Sequence, residues 1–204
     1  MISLPRLYAI LDPVCFSGSP ALLQAAEELR AAGVTLIQYR NKSGNARRML
    51  EEACELKRLL QNSVTLIMND RADLTLATEF HGVHLGQDDL SPNAARRILG
   101  SDHVIGLSTH NPEQVKEAAK TSADYVAIGP VYATSAKANP DPVVGLEGVR
   151  QARRLTRKPL VAIGGITRAN CRAVIEAGAD SVAVISDLLP HPCQSAEEFL
   201  QILG

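Results

Sequence analysis

The sequence predicts an α/β protein built as a single (β/α)8 TIM barrel, and three observations carry that prediction. Eight short apolar runs recur along the chain, nearly all of them closing in polar or glycine residues. Continuous apolar runs of this kind read as strands buried on both faces. Stretches with helical periodicity separate them, which is the alternation of a parallel barrel. Finally, 204 residues is near the lower limit for such a barrel and leaves little material for a second domain, so residues 1–204 read as one domain.

The elements follow in order. LYAILD (7–12) is the first strand, and SPALLQAAEELRAAG (19–33) its helix, with Ser19 and Pro20 as cap and first turn and Gly33 as stop. LIQYRNK (36–42) precedes the long, charged helix NARRMLEEACELKRLLQN (45–62), and TLIMND (65–70) the short one RADLTLATEF (71–80). GVHLGQDD (82–89) leads to SPNAARRILG (91–100), again opened by Ser-Pro and closed by Gly. VIGLSTH (104–110) is followed by NPEQVKEAAKTSA (111–123), capped by Asn111. YVAIGP (125–130), LVAIGGI (160–166) and SVAVIS (181–186) alternate with LEGVRQARRLTR (146–157), TRANCRAVIEAGA (167–179) and SAEEFLQILG (195–204). The connection VYATSAKANPDPVVG (131–145) is longer than its counterparts and reads as a lid over a ligand, against the plainer reading of a surface loop.

Composition excludes several functions. Only 3% of residues are aromatic, so the core must be filled by Val, Ile, Leu and Ala. Net charge is −1 and no basic stripe carries interleaved aromatics, which argues against nucleic acid. No apolar stretch reaches the roughly 18 residues that span a bilayer, and the N-terminus lacks a signal-peptide pattern. A cytoplasmic protein is expected. Cys15, Cys54, Cys171 and Cys193 form no CxxC pair and read as buried, inert thiols.

In a barrel the active site is assembled at the carboxyl ends of the strands, so the residues there are the candidates. Gly164-Gly165 and Ile185-Ser186 end the seventh and eighth strands, where a phosphate site is expected. Asp70 and either Asp88 or Asp89 end the third and fourth; two carboxylates on one rim suit Mg²⁺, although Asp70 could instead cap the short helix. Arg40 and Lys42, at alternate positions, can face one side and, with Lys137 in the lid, neutralise an anion. Gln38 and Asn69 can hydrogen-bond a heterocycle or phosphate. Ser108, Thr109 and His110 end the fifth strand, and His110 is the best acid–base candidate by position. His84 alternates with Val83 and Leu85 and is read as facing the barrel interior. Spacing identifies no nucleophile–base pair, so the site reads as electrostatics plus positioning.

Together IQYRNK, MNDRADL, GVHLGQDDL, GLSTH, DYVAIGPVYATSAK, AIGGI and AGADSVAVIS resemble the thiamine-phosphate synthase family over almost the whole chain. The resemblance implies a transferase. It joins 4-amino-2-methyl-5-hydroxymethylpyrimidine diphosphate to hydroxyethylthiazole phosphate, plain or carboxylated, with Mg²⁺-assisted dissociative loss of diphosphate. It implies Gln38 as the pyrimidine contact, Arg40, Lys42, Asn69 and Lys137 as diphosphate ligands, and Asp70 with Asp89 as the Mg²⁺ carboxylates. Ser108 is placed beside the reacting centre, and Thr134, Gly165, Ile185 and Ser186 at the thiazole phosphate; Lys137, Ser108 and Arg40 are the catalytic set. Partners are small phosphate and diphosphate substrates, with homo-oligomerisation left open. Two positions depart from the family pattern: Ala136 replaces a threonine in the lid, and Asp187 a small residue after Ser186. A related branch, the thiazole tautomerases, uses a histidine at the position of His110, and a non-catalytic barrel that binds thiamine intermediates is the remaining alternative. The retained HLGQDD segment favours the synthase.

Overall fold

The computed structural model describes residues 3–61, 63–134, 141–189 and 191–204. Eight parallel strands close into a barrel in sequence order, the first pairing with the eighth. They are β1 (Leu7–Leu11), β2 (Leu36–Tyr39), β3 (Thr65–Asn69), β4 (Gly82–Leu85), β5 (Val104–Thr109), β6 (Tyr125–Ile128), β7 (Leu160–Ile163) and β8 (Ser181–Val184). All eight lie within the apolar runs. Side chains alternate along each strand. Tyr8 and Ile10 of β1 join Leu36, Ile67, Tyr125, Ala127, Val161 and Ala183 inside the barrel. Leu7, Ala9 and Leu11 point outward into the layer beneath the helices. Both faces are therefore buried, which is why the runs are continuous in sequence.

The helices are α1 (Ser19–Ala31), α2 (Ala46–Leu60), α3 (Ala72–Ala77), α4 (Pro92–Leu99), α5 (Pro112–Lys120), α6 (Gly145–Leu155), α7 (Cys171–Glu176) and α8 (Pro192–Leu203). Ser91, Asn111 and Asn45 accept the N–H of Ala94, Gln114 and Arg48, as capping residues should. Ser19 does not cap α1. Gly18 holds that position, and the Ser19 hydroxyl donates to Glu52 instead. Helix α7 is shorter than its periodicity suggests, because Thr167–Asn170 form a separate turn closed by the Asn170 side chain on the Thr167 N–H. Helix α8 starts three residues before Ser195, at Pro192. Short 3-10 turns at Pro13–Cys15 and Ser186–Leu188 follow β1 and β8. Of the cysteines only Cys171 is buried; Cys15 and Cys54 are exposed and Cys193 is intermediate, and all four are free thiols. No helix among the described residues is long and apolar enough to cross a membrane.

Candidate active site

A cavity of about 630 Å³ opens at the carboxyl ends of the strands. Every site residue expected from sequence lines it except Lys137, which with Ser135 and Ala136 lies outside the described residues. The lid reading of 131–145 rests largely on that same segment.

One wall is charged. Arg40 and Lys42 both face the cavity, while Asn41 between them turns away and is buried. Its amide nitrogen reaches the Tyr39 hydroxyl at 2.9 Å and Glu52 at 3.3 Å. Glu52 is 2% exposed and also accepts from Ser19, Tyr39 and Arg48. These donors outweigh its burial and hold its carboxyl below the usual range. The buried cluster thereby anchors the loop that carries both cations.

Arg40 is fixed a second time, by an ion pair with Asp12 at the end of β1. Asp12 is 6% exposed and accepts the Val14 N–H as well. Sequence reasoning gave Asp12 no role. Its partner lies 28 residues away, so local spacing holds no signal for it.

Asp70 is not a helix cap. Arg71 occupies that position, and Asp70 sits in the left-handed region at φ 64°. That conformation is uncommon for a residue with a Cβ and directs the carboxylate to the rim. Its side chain pairs with Lys42 and approaches Asp89. Burial raises the Asp70 pKa, Lys42 opposes that, and Asp89 adds to it. Asp89 accepts the Gly86 N–H at 2.8 Å, which aims it at Asp70; Asp88 also borders the cavity. Beside them the buried Asn69 Nδ2 has no hydrogen-bond partner among the described residues. Among the described residues no group of three or more His, Cys, Asp or Glu could by itself hold a metal.

The floor holds Gln38, His84 and Ser108. His84 does face the interior, with Nε2 at 2.8 Å from Ser108 Oγ and Nδ1 at 2.9 Å from the Tyr125 hydroxyl. This Ser–His pair was invisible to spacing, because the partners sit on different strands. His110 hydrogen-bonds the Gly129 carbonyl through Nδ1 at 2.6 Å and places Nε2 at 3.5 Å from Asp141.

The opposite wall is uncharged backbone. Gly164 and Gly165 have φ of 98° and 64°. A Cβ on Gly165 would lie 2.5 Å from the Ala133 carbonyl oxygen, so any side chain would collide with the segment leading to Thr134. Across from them the chain turns at Ile185 into the Ser186–Leu188 turn. Asp187 does not intrude. Its carboxylate accepts the backbone N–H of Arg168 at 2.8 Å and that residue's guanidinium at 3.1 Å. The departure at Asp187 therefore tethers the loop and adds no uncompensated charge to the glycine wall.

A cavity with one cationic and acidic wall and one glycine-rich backbone wall is suited to two anionic ligands held face to face. A family model described as thiamine monophosphate synthase matches residues 7–188. The chain is 62% identical to a thiamine-phosphate synthase of Koribacter versatilis over 205 residues, 99% of this chain and 97% of the relative. It is 42% identical to one of Albidiferax ferrireducens, covering 97% and 91% of the two chains. The solved thiamine phosphate pyrophosphorylase of Pyrococcus furiosus superposes with a TM-score of 0.86 at 33% identity, over 97% of this chain and 95% of that one. The chain belongs to the thiamine-phosphate synthase family, a family of transferases.

Proposed function

We propose that the protein joins 4-amino-2-methyl-5-hydroxymethylpyrimidine diphosphate to hydroxyethylthiazole phosphate, plain or carboxylated, releasing thiamine phosphate and diphosphate. The observation that carries this reading is the meeting, on one wall, of Arg40, Lys42, the unpartnered Asn69 Nδ2 and the paired carboxylates of Asp70 and Asp89. A binding barrel has no need of so much charge around a leaving group.

Gln38 offers an amide whose oxygen and nitrogen match the amino group and ring nitrogen of an aminopyrimidine. Arg40, Lys42, Asn69 and Lys137 take the diphosphate oxygens. The C–O bond to the pyrimidine methylene breaks with its electron pair departing on the diphosphate, and the ring amino group stabilises the methylene cation. The thiazole nitrogen then donates its lone pair to form the new C–N bond. Thr134, Gly165 and the backbone at Ile185 and Ser186 hold the thiazole phosphate so that this nitrogen faces the methylene. Positioning and preorganised charge supply the rate.

Asp70 and Asp89 fit a Mg²⁺ that keeps several waters, because two adjacent carboxylates with a raised Asp70 pKa are relieved by a divalent cation. When bound it would neutralise charge on the departing diphosphate. The test is thiamine phosphate formation from the two substrates, with and without Mg²⁺. Turnover that requires Mg²⁺ supports the reading; folded protein that is inactive, or equally active in a chelator, rejects it.

A further inference from the structure

The barrel interior contains a continuous hydrogen-bonded chain that the reaction as described leaves unused. Gln38 Nε2 donates to the Tyr8 hydroxyl at 2.8 Å, and the Tyr8 and Tyr125 hydroxyls lie 3.0 Å apart. Tyr125 meets His84 Nδ1, and His84 Nε2 meets Ser108 Oγ, both at distances given above. Five strands contribute one residue each, and both ends of the chain face the cavity. Space for the middle is built in: a Cβ on Gly106 would fall 2.0 Å from the Tyr125 ring, so only glycine admits the phenol there. The His84 ring stacks on Tyr125 with centroids 5.6 Å apart, which holds it in register.

Such a chain has a direction. Each phenol has one proton, and burial pushes both phenol pKa values well up, so both stay neutral. With Gln38 donating to Tyr8, Tyr8 donates to Tyr125 and Tyr125 to His84 Nδ1. The imidazole proton is then on Nε2 and points at Ser108, whose own hydroxyl proton turns into the cavity. Reversing the first bond reverses all the others and makes Ser108 donate to His84 instead.

We propose that Tyr8, Tyr125 and His84 are positioning residues that couple Gln38 to Ser108. An aminopyrimidine edge on Gln38 uses its amide oxygen and one N–H, leaving the other N–H for Tyr8. Pyrimidine recognition thereby locks the chain in the direction that presents the Ser108 hydroxyl as a donor to the departing oxygen. No proton is transferred; only the order of hydrogen bonds is fixed. The ligand-bound part of this inference rests on the substrate reading above, and the ligand-free part does not.

The experiment is ¹⁵N NMR of the histidine ring nitrogens in the full-length protein. Wild type should show His84 with Nε2 protonated, and the pyrimidine alcohol should sharpen that single tautomer. Gln38→Glu, at a pH raised until the ¹³C shift of the new carboxyl shows it ionised, offers only an acceptor. It should move the proton to Nδ1, and adding Tyr8→Phe should return it to Nε2. Kinetically, Tyr125→Phe should lower kcat by on the order of tenfold to a hundredfold with KM for the pyrimidine diphosphate unchanged. A His84 tautomer that is the same in wild type and Gln38→Glu overturns the coupling. Should Gln38→Glu not fold, wild-type kcat in a folded Tyr125→Phe overturns it equally. If wild-type protein makes no thiamine phosphate, the substrate reading fails and the ligand-free tautomer comparison still decides the relay.

Discussion

The two ends of the barrel solve opposite problems with the same residue types. At the amino ends of the strands charged groups close into a repeated pattern of hydrogen bonds. Arg96 donates to the carbonyls of Gly100, His103 and Ser122 at 2.9, 2.6 and 3.2 Å, and to Asp124 at 2.6 Å. Asp124 in turn accepts the Ile105 N–H. Two strands further on, Arg153, Asp180 and the Leu160 N–H repeat the arrangement. Lys158 reaches the carbonyls of Thr121 and Ala123. At the carboxyl ends two aspartates crowd each other, one with left-handed backbone, and a buried amide donor goes unpaired. The first rim turns its charges onto the backbone and one another; the second leaves charge facing the cavity. Stability and activity should therefore separate by rim, and substitutions can test that separation.

The largest effect belongs to the strained rim. Asp70→Asn should cut kcat/KM by on the order of a hundredfold to a thousandfold, the scale of losing one preorganised charged group. It should also raise Tm in Mg²⁺-free buffer. The Asp70 pKa lies above its unfolded value, so its ionised form costs stability at neutral pH, and that cost is relieved as pH falls through the raised value. Asparagine removes the charge and tolerates the left-handed backbone. A drop in both activity and Tm would show that the strain is not where the geometry locates it. At the opposite rim Arg96→Met should do the reverse, losing roughly 2–4 kcal/mol of unfolding free energy from a partly buried, multiply bonded ion. Its kcat should stay near wild type, measured below the lowered melting range.

Asp12→Asn tests a smaller step, because in the proposed reaction Asp12 would act on the diphosphate only through its ion-pair partner Arg40. The amide keeps an acceptor for Val14 but loses the charge that holds the guanidinium. KM for the pyrimidine diphosphate should rise about tenfold, near 1.4 kcal/mol, with Tm little changed. An unchanged KM would mean that the loop anchored by Asn41 and Glu52 positions Arg40 unaided.

What the sequence made legible follows from the physics of each feature. Strands buried on both faces leave continuous apolar runs, so all eight were readable. The rim residues Arg40, Lys42 and Asp70 were readable because barrel topology puts strand ends on one face, whereas topology left Asp88 and Asp89 open and only the family resemblance chose Asp89. Asp12 and the Ser108–His84 pair were not, since their meaning lies in partners on other strands. Tyr8 and Tyr125 received no reading, because only closure of the barrel brings their hydroxyls together. Gly106 carried a signal in retrospect, an interior strand glycine that marks a close approach. Cys54 misled for a simpler reason: helical periodicity locates a residue on a helix, and its exposed face must be known separately.

The smallest effect concerns a third copy of the amino-rim arrangement. His81 precedes β4 as Asp124 precedes β6 and Asp180 precedes β8, and its Nδ1 accepts the Leu66 N–H at 2.9 Å. Lys57 of α2 stands 3.4 Å from Nε2, where Arg96 and Arg153 stand in the other two. Here the acceptor is neutral, so two donors face each other across that gap. Burial, then Lys57 and His103, lower the His81 pKa. As pH falls through the ordinary histidine value of about 6.5, the unfolded chain takes up a proton that the folded chain refuses, and stability declines until the depressed value is reached. His81→Asp would restore the pattern of its two counterparts, keep an acceptor for Leu66 and pair with Lys57. Between about pH 6.5 and 5 its urea midpoint should fall less than that of wild type, because aspartate stays ionised down to about 3.9. The difference between the two curves cancels the other four histidines. Parallel curves would show that His81 already protonates in the folded state, and that this corner of the satisfied rim is held by Lys57 and the backbone without it.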